Sequence, residues 1–136
     1  MANIIVVDDS IEIVDVIQNI LEMEGHFVTG VTGKQAMMNE IINFPPDLII
    51  LDILLSKDNG RDICKALKAN KATMHIPVLL MSASPKLLIN PSDCGAEGVI
   101  AKPFHLNDLT EKVKSLLQLL ILINLPEVSC SIIHHL

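Results

Sequence analysis

The chain has 136 residues, enough for one domain that buries roughly two-thirds of its unfolded surface around a single core. Half of the residues are apolar and nearly all of those are aliphatic, with three Phe and no Trp or Tyr, so Ile, Leu, Val, Met and Ala must do the packing. The net charge of −6, with only ten scattered Lys and Arg, argues against nucleic acid as a partner, because a phosphate backbone is held by clustered cations.

Met1-Ala2-Asn3 leads straight into an aliphatic run with no basic n-region, so no signal peptide is expected. The run Asn3 to Val7 reads as a strand and ends on two adjacent carboxylates in "VVDDS". Neighbouring carboxylates repel and burial penalises them further, so something positive is expected to face Asp8 and Asp9. Ser10 is a natural N-cap for a helix in which Ile11, Val14, Ile17 and Leu21 recur at helical spacing, with Glu12, Asp15, Gln18 and Glu22 between them and Gly25 as the stop.

A second strand is expected over His26 to Val31 and a helix over Gly33 to Asn43. "GVTGKQ", residues 30 to 35, is not a P-loop: Val28 stands where the first glycine belongs and Gln35 replaces the Ser or Thr that would hold magnesium. A third strand, Asp47 to Leu51, precedes a helix over Gly60 to Asn70, and a fourth, Ile76 to Met81, precedes "SPKLLINPSDCGAEG". Pro85 and Pro91 in that stretch predict a short or irregular fourth helix.

The fifth strand, Gly98 to Ala101, leads to a helix from His105 to about Leu122 with Leu106, Leu109, Val113, Leu116, Leu117 and Leu120 on one side. The longest apolar stretch, Leu116 to Leu125, is broken by Gln118 and Asn124 and falls short of the roughly 20 residues of a membrane span, so a soluble, cytoplasmic protein is expected. Ile121, Leu122, Ile123 and Leu125 exceed what one core-facing stripe can use, so self-association or partner contact is expected there. Residues 1–123 are read as one domain and 124–136 as a tail, in which His134 and His135 are given no metal. Cys64, Cys94 and Cys130 are odd in number and far apart in sequence, which suggests reduced thiols rather than a disulfide framework or a zinc site.

Strands that are apolar on both faces, alternating with helices, imply a parallel sheet covered on both sides, a doubly wound (βα)5 three-layer sandwich. In such a sheet the ligand site lies outside the carboxyl ends of the strands. Strand one ends in Asp8-Asp9, strand three in Asp52 ("DLIILD"), strand four in Ser82 ("VLLMSAS") and strand five in Lys102 ("GVIAKPF"). Taken singly, each has an ordinary role as cap, turn residue or solvated charge; their coincidence at one edge favours a site. Three carboxylates suit a hard divalent cation such as magnesium, Asp52 is placed to attack phosphorus, and Ser82 and Lys102 to hold phosphoryl oxygens.

The joint pattern "VVDDS", "LIILDILLSKDNG", "MSAS" and "AKPF" resembles the response-regulator receiver domains of two-component signalling, over about residues 3 to 122. The resemblance implies a CheY-like, flavodoxin-like sheet of order 2-1-3-4-5 and a signalling domain rather than an enzyme acting on a separate substrate. It implies Asp52 as phosphoacceptor, with Mg2+ bound by Asp9, Asp52 and the backbone carbonyl of Leu54, and Asp8 orienting metal-bound water. Ser82 is then the hydroxyl switch residue and Lys102 the phosphate-contacting lysine, with the Lys102–Pro103 peptide in cis. The implied partners are a sensor histidine kinase or phosphotransfer protein and a downstream protein target.

The sequence departs from that pattern at Leu55-Ser56, where the family usually has Met-Pro, and at Val99, where many members carry an aromatic switch residue. A haloacid-dehalogenase-type phosphatase would need a second Asp at Leu54, and a flavodoxin would need Ser, Thr and Gly in place of Asp8 and Asp9. A degenerate receiver that binds a partner without phosphorylation is the remaining alternative.

Overall fold

The computed structural model describes residues 1–90 and 93–123. Five strands, β1 (Asn3–Val7), β2 (Phe27–Val31), β3 (Leu48–Asp52), β4 (Val78–Ser82) and β5 (Gly98–Ala101), form one parallel sheet in the order β2-β1-β3-β4-β5. The connections are α1 (Ile11–Met23), α2 (Lys34–Asn43), α3 (Gly60–Ala69) and a 3-10 turn over Pro85–Leu88, and α4 (Leu106–Ile123) closes the chain's described part. Among the described residues, no helix is long and apolar enough to cross a membrane.

Alternation along the strands divides the core in two. Ile4, Val6, Leu48, Ile50, Leu79 and Met81 point to the side covered by Val14, Ile17 and Leu21 of α1 and by Leu109, Val113 and Leu116 of α4. Ile5, Val7, Ile49, Leu51, Val78 and Leu80 point to the other, covered by Met37 and Ile41 of α2 and by Ile63, Cys64 and Leu67 of α3. Because both faces are buried, the side-chain period cannot expose an error of register by polarity, and the sheet is instead pinned by helices above and below.

Local chemistry sets the boundaries. Ser10 caps α1, its hydroxyl accepting from the Ile13 amide at 3.4 Å, and Gly25 leaves the helix with φ +91°, a conformation that suits a residue without Cβ. Among the described residues, the fourth connection shows a 3-10 turn over Pro85–Leu88 where the regular (βα)5 pattern wants a helix, with Pro85 at its start; Pro91 lies outside the described residues. Two expected core positions are corrected. Ile11 is 62% exposed and Leu106 52%, because each opens its helix beyond the end of the sheet, and Ile13 and Phe104 pack against the core instead.

The expected tail, 124–136, with Cys130, His134 and His135, lies outside the described residues. The backbone of α4 is described to Ile123, but the apolar surplus expected at Ile121, Leu122, Ile123 and Leu125 and the stripe position Leu120 concern side chains that are not described.

Candidate functional site

The carboxyl ends of β1, β3, β4 and β5 carry the polar cluster. β1 stops at Val7, and Asp8 continues it for one more bond, its amide donating to the Val31 carbonyl at 3.2 Å. That contact turns the Asp8 side chain inward, where it is 1% exposed, while Asp9 faces solvent. The Ser10 amide donates to Asp8 Oδ1 at 2.9 Å, so the helix cap also orients the carboxylate.

Asp52 is the last residue of β3, in the middle of the sheet, and is 5% exposed. One carboxylate oxygen from each of Asp8, Asp9 and Asp52 lies within 4.8 Å of the others. Lys102, just past β5, reaches into this cluster: its Nζ is 2.5 Å from Asp8 Oδ2 and 3.1 Å from Asp52 Oδ1. The positive neighbour that the paired carboxylates required is therefore supplied in part by the chain itself.

Ser82 ends β4 almost fully buried, its Oγ accepting from the Ser84 amide at 3.0 Å, and its carbonyl accepts from the Lys102 amide at 2.9 Å. The Lys102–Pro103 peptide is cis. Leu54 is exposed and forms an isolated antiparallel bridge with Asn59. Gly60 closes that loop: its amide donates to the Ile53 carbonyl at 2.7 Å, and a Cβ on it would stand 2.3 Å from the Asp52 carbonyl oxygen. Only a residue without a side chain fits so close to the Asp52 backbone.

The electrostatics follow from this crowding. Burial raises the Asp52 pKa above the ordinary carboxylate value; the Lys102 hydrogen bond opposes the shift and the charges of Asp8 and Asp9 add to it. For Lys102, burial favours the neutral amine, but the hydrogen bonds to Asp8 and Asp52 outweigh it and raise its pKa. A cluster of oxygen ligands with a buried, reluctantly ionised carboxylate at its centre gains by a hard divalent cation, which the donor set fits.

Asp8, Asp9, Asp52, Ser82 and Lys102 thus stand at one edge of the sheet, with Asp9 on its solvent side and Leu54 in the loop that follows Asp52. A contact that the sequence did not reveal joins Cys64 and Cys94, read above as reduced thiols: both are buried, neither is in a disulfide, and Cys64 Sγ donates to the Cys94 carbonyl at 3.3 Å. Thirty residues separate them and no spacing motif marks the pair. Val99, Leu87 and Leu88 are each partly buried against the same core cluster.

The sequence profile of the response regulator receiver domain matches residues 4–114. The chain is 34% identical over 124 residues to the DNA-binding dual master transcriptional regulator RpaA of Synechocystis, covering 87% of this chain and 50% of RpaA. It is 33% identical over 120 residues to the response regulator SaeR of Staphylococcus aureus, covering 86% of this chain and 51% of SaeR. The chain therefore spans about half the length of these relatives. A crystal structure of a putative response regulator from Chloroflexus aurantiacus superposes with a TM-score of 0.81 at 25% identity, covering 86% of this chain and 98% of that one. Sheet order, polar edge and profile agree: the chain belongs to the response regulator receiver domain family.

Proposed function

We propose that Asp52 accepts a phosphoryl group from a sensor histidine kinase or phosphotransfer protein, with Mg2+ bound by Asp9, Asp52 and the backbone carbonyl of Leu54, and that the modified domain signals by contact with a downstream protein. The observation that carries this reading is the buried Asp52 carboxylate at the end of the central strand, flanked within 4.8 Å by two further carboxylates and touched by Lys102.

In the transfer an Asp52 oxygen forms a new bond to phosphorus while the bond from phosphorus to the donor's leaving nitrogen or oxygen breaks, its electron pair departing with the donor. The product is an acyl phosphate, and the leaving group takes its proton from solvent. A bound divalent cation would offset the charge of three carboxylates and an incoming phosphate. Asp8, held by Ser10 and Lys102, orients water in the acidic pocket. Lys102 stays paired with the aspartate whichever form it takes, and a phosphoryl group, adding about −1.5 to −2 charge, draws its ammonium and the Ser82 hydroxyl inward.

Self-association through the last turns of α4 belongs to the same proposal and rests on the apolar sequence there; sedimentation of the full chain against one ending at Gln118 tests it. The acidic balance speaks only for residues 1–136, since RpaA, twice as long as the matched region, is DNA-binding.

Incubation with acetyl phosphate and Mg2+, followed by intact-mass measurement, tests the acceptor. One phosphoryl adduct on the wild type, absent from Asp52→Asn and absent in chelator, is expected. No adduct on the wild type would favour a phosphorylation-independent binding module.

A further inference from the structure

The link between β4 and β5 contains a partly buried contact that the acceptor chemistry does not use. Arg61, in the first turn of α3, sends its guanidinium across to the backbone of residues 87–90. Nε and Nη2 donate to the Leu87 carbonyl at 3.1 and 2.6 Å, Nη1 donates to the Asn90 carbonyl at 3.2 Å, and Nη2 also donates to the Ile89 carbonyl. Among the described residues, no carboxylate forms an ion pair with Arg61. All three of its guanidinium nitrogens donate to main-chain oxygens.

The bonds to the Leu87 carbonyl are partly buried, and those to Ile89 and Asn90 are exposed. A helix would satisfy its own carbonyls, but among the described residues this connection shows the turn Pro85–Leu88, closed by the Leu87 amide donating to the Ser84 carbonyl, and then Asn90 with φ +55°, whose carbonyl also accepts from the Asp93 amide at 3.1 Å. Unpaired, partly buried carbonyls are costly, and a planar fork of five N–H donors can serve three at once where an ammonium cannot.

The other end of Arg61 is tied to the acceptor. Its own amide donates to Asn59 Oδ1 at 2.8 Å, and its neighbour Gly60 is packed against the backbone of Asp52 and Ile53, leaving no room for a Cβ. The segment it grips begins at Ser84, whose amide is held by the Ser82 hydroxyl. The stretch 84–90 is thus fastened at one end to Ser82 and at the other, through Arg61, to the loop that follows Asp52.

We propose that Arg61 is a positioning residue that couples the Asp52 loop to residues 87–90, so that a change at Asp52 is delivered to this segment and to its exposed Ile89. The proposal rests on Asp52 being the acceptor. When a phosphoryl group engages Ser82, the Ser84 anchor loosens, and the Arg61 fork determines where the segment comes to rest. Leu87 and Leu88, packed with Val99 against the core, move with it.

The test uses the full chain, with backbone amides followed by NMR before and after addition of Mg2+ and beryllium trifluoride, which seats on a carboxylate as a phosphoryl mimic. In the wild type, Ile53, Leu54 and Lys102 should shift together with Ser84 and Leu87–Asn90. In R61A, the first group should still shift, the response of Leu87–Asn90 should be lost, and the Leu87 amide should exchange about tenfold faster before any addition. R61K, which keeps the charge but not the fork, should fold like the wild type yet recover little of the 87–90 response. Site amides that shift in all three proteins with an unchanged 87–90 response would overturn the coupling role. Site amides that stay still in the wild type would overturn the acceptor reading and the role that rests on it.

Discussion

Asp52→Asn should stabilise the metal-free protein, because it removes the central member of a like-charge cluster. Asp52 has an oxygen within 4.8 Å of one on Asp8 and one on Asp9, and at an effective dielectric near 20 each such pair repels by about 3.5 kcal/mol. Lys102, 3.1 Å from Asp52 Oδ1, returns about 5 kcal/mol on the same scale. A net repulsion of about 2 kcal/mol remains, and the burial of Asp52 adds to it. In chelator at pH 7, the Asn variant should therefore melt roughly 5–10 °C higher. The pH dependence has a definite sign. The folded Asp52 pKa is raised, chiefly by burial, so the native state holds a proton there that the unfolded state has released. Stability associated with Asp52 is full below the ordinary carboxylate pKa and is lost as pH rises through the raised one. The advantage of Asn must then shrink as pH falls toward 4. Mg2+ should narrow the gap by stabilising the wild type more than the variant. Thermal unfolding of both proteins from pH 4 to 8, with and without metal, measures all three effects. A variant no more stable than the wild type in chelator at pH 7, or an advantage that grows toward pH 4, would refute the electrostatic reasoning.

Lys102→Met should destabilise the metal-free protein by about 3 kcal/mol in urea unfolding, since Asp8 and Asp52 are left buried together without a cation. The wild type should also lose stability above pH 10.5, as pH rises through the raised Lys102 pKa, and the Met variant should lack that limb of its pH profile. Gly60→Ala forces a Cβ to 2.3 Å from the Asp52 carbonyl oxygen, a backbone clash that should cost about 2–3 kcal/mol in the same assay and slow phosphoryl labelling. Burial and the neighbouring Cys94 push the Cys64 thiol up to about 12, so iodoacetamide at pH 8 should leave Cys64 unmodified in the folded protein and alkylate it only after unfolding, as peptide mass mapping will show.

The fold was legible because its signals are local and repeated. Each strand is a short aliphatic run, each crossover has an apolar stripe, and the strand ends at Asp9, Asp52, Ser82 and Lys102 line up once the sheet is parallel. Strand limits differ by one or two residues, as at β4, which begins after Pro77 and takes in Ser82. The irregular fourth connection was readable from Pro85 and Pro91, but its Arg61 support was not, because a guanidinium that serves carbonyls 26 to 29 residues away has no sequence signature. Periodicity placed Ile11 and Leu106 in the core because it measures angle around a helix and not distance past the sheet edge. The Cys64–Cys94 contact is a product of tertiary packing between α3 and the β4–β5 link, and the Asp8–Lys102 pair likewise required the cluster's geometry.

Reductive trapping of the acyl phosphate bears most directly on the central claim. After labelling with acetyl phosphate and Mg2+, borohydride converts a phosphorylated aspartate to homoserine, and tandem mass spectrometry of the digested chain locates it. Homoserine at position 52 alone, absent when metal is chelated, is the predicted result. Homoserine at position 8 or 9, or none at any position under conditions where the Mg2+-bound protein is folded, would contradict it.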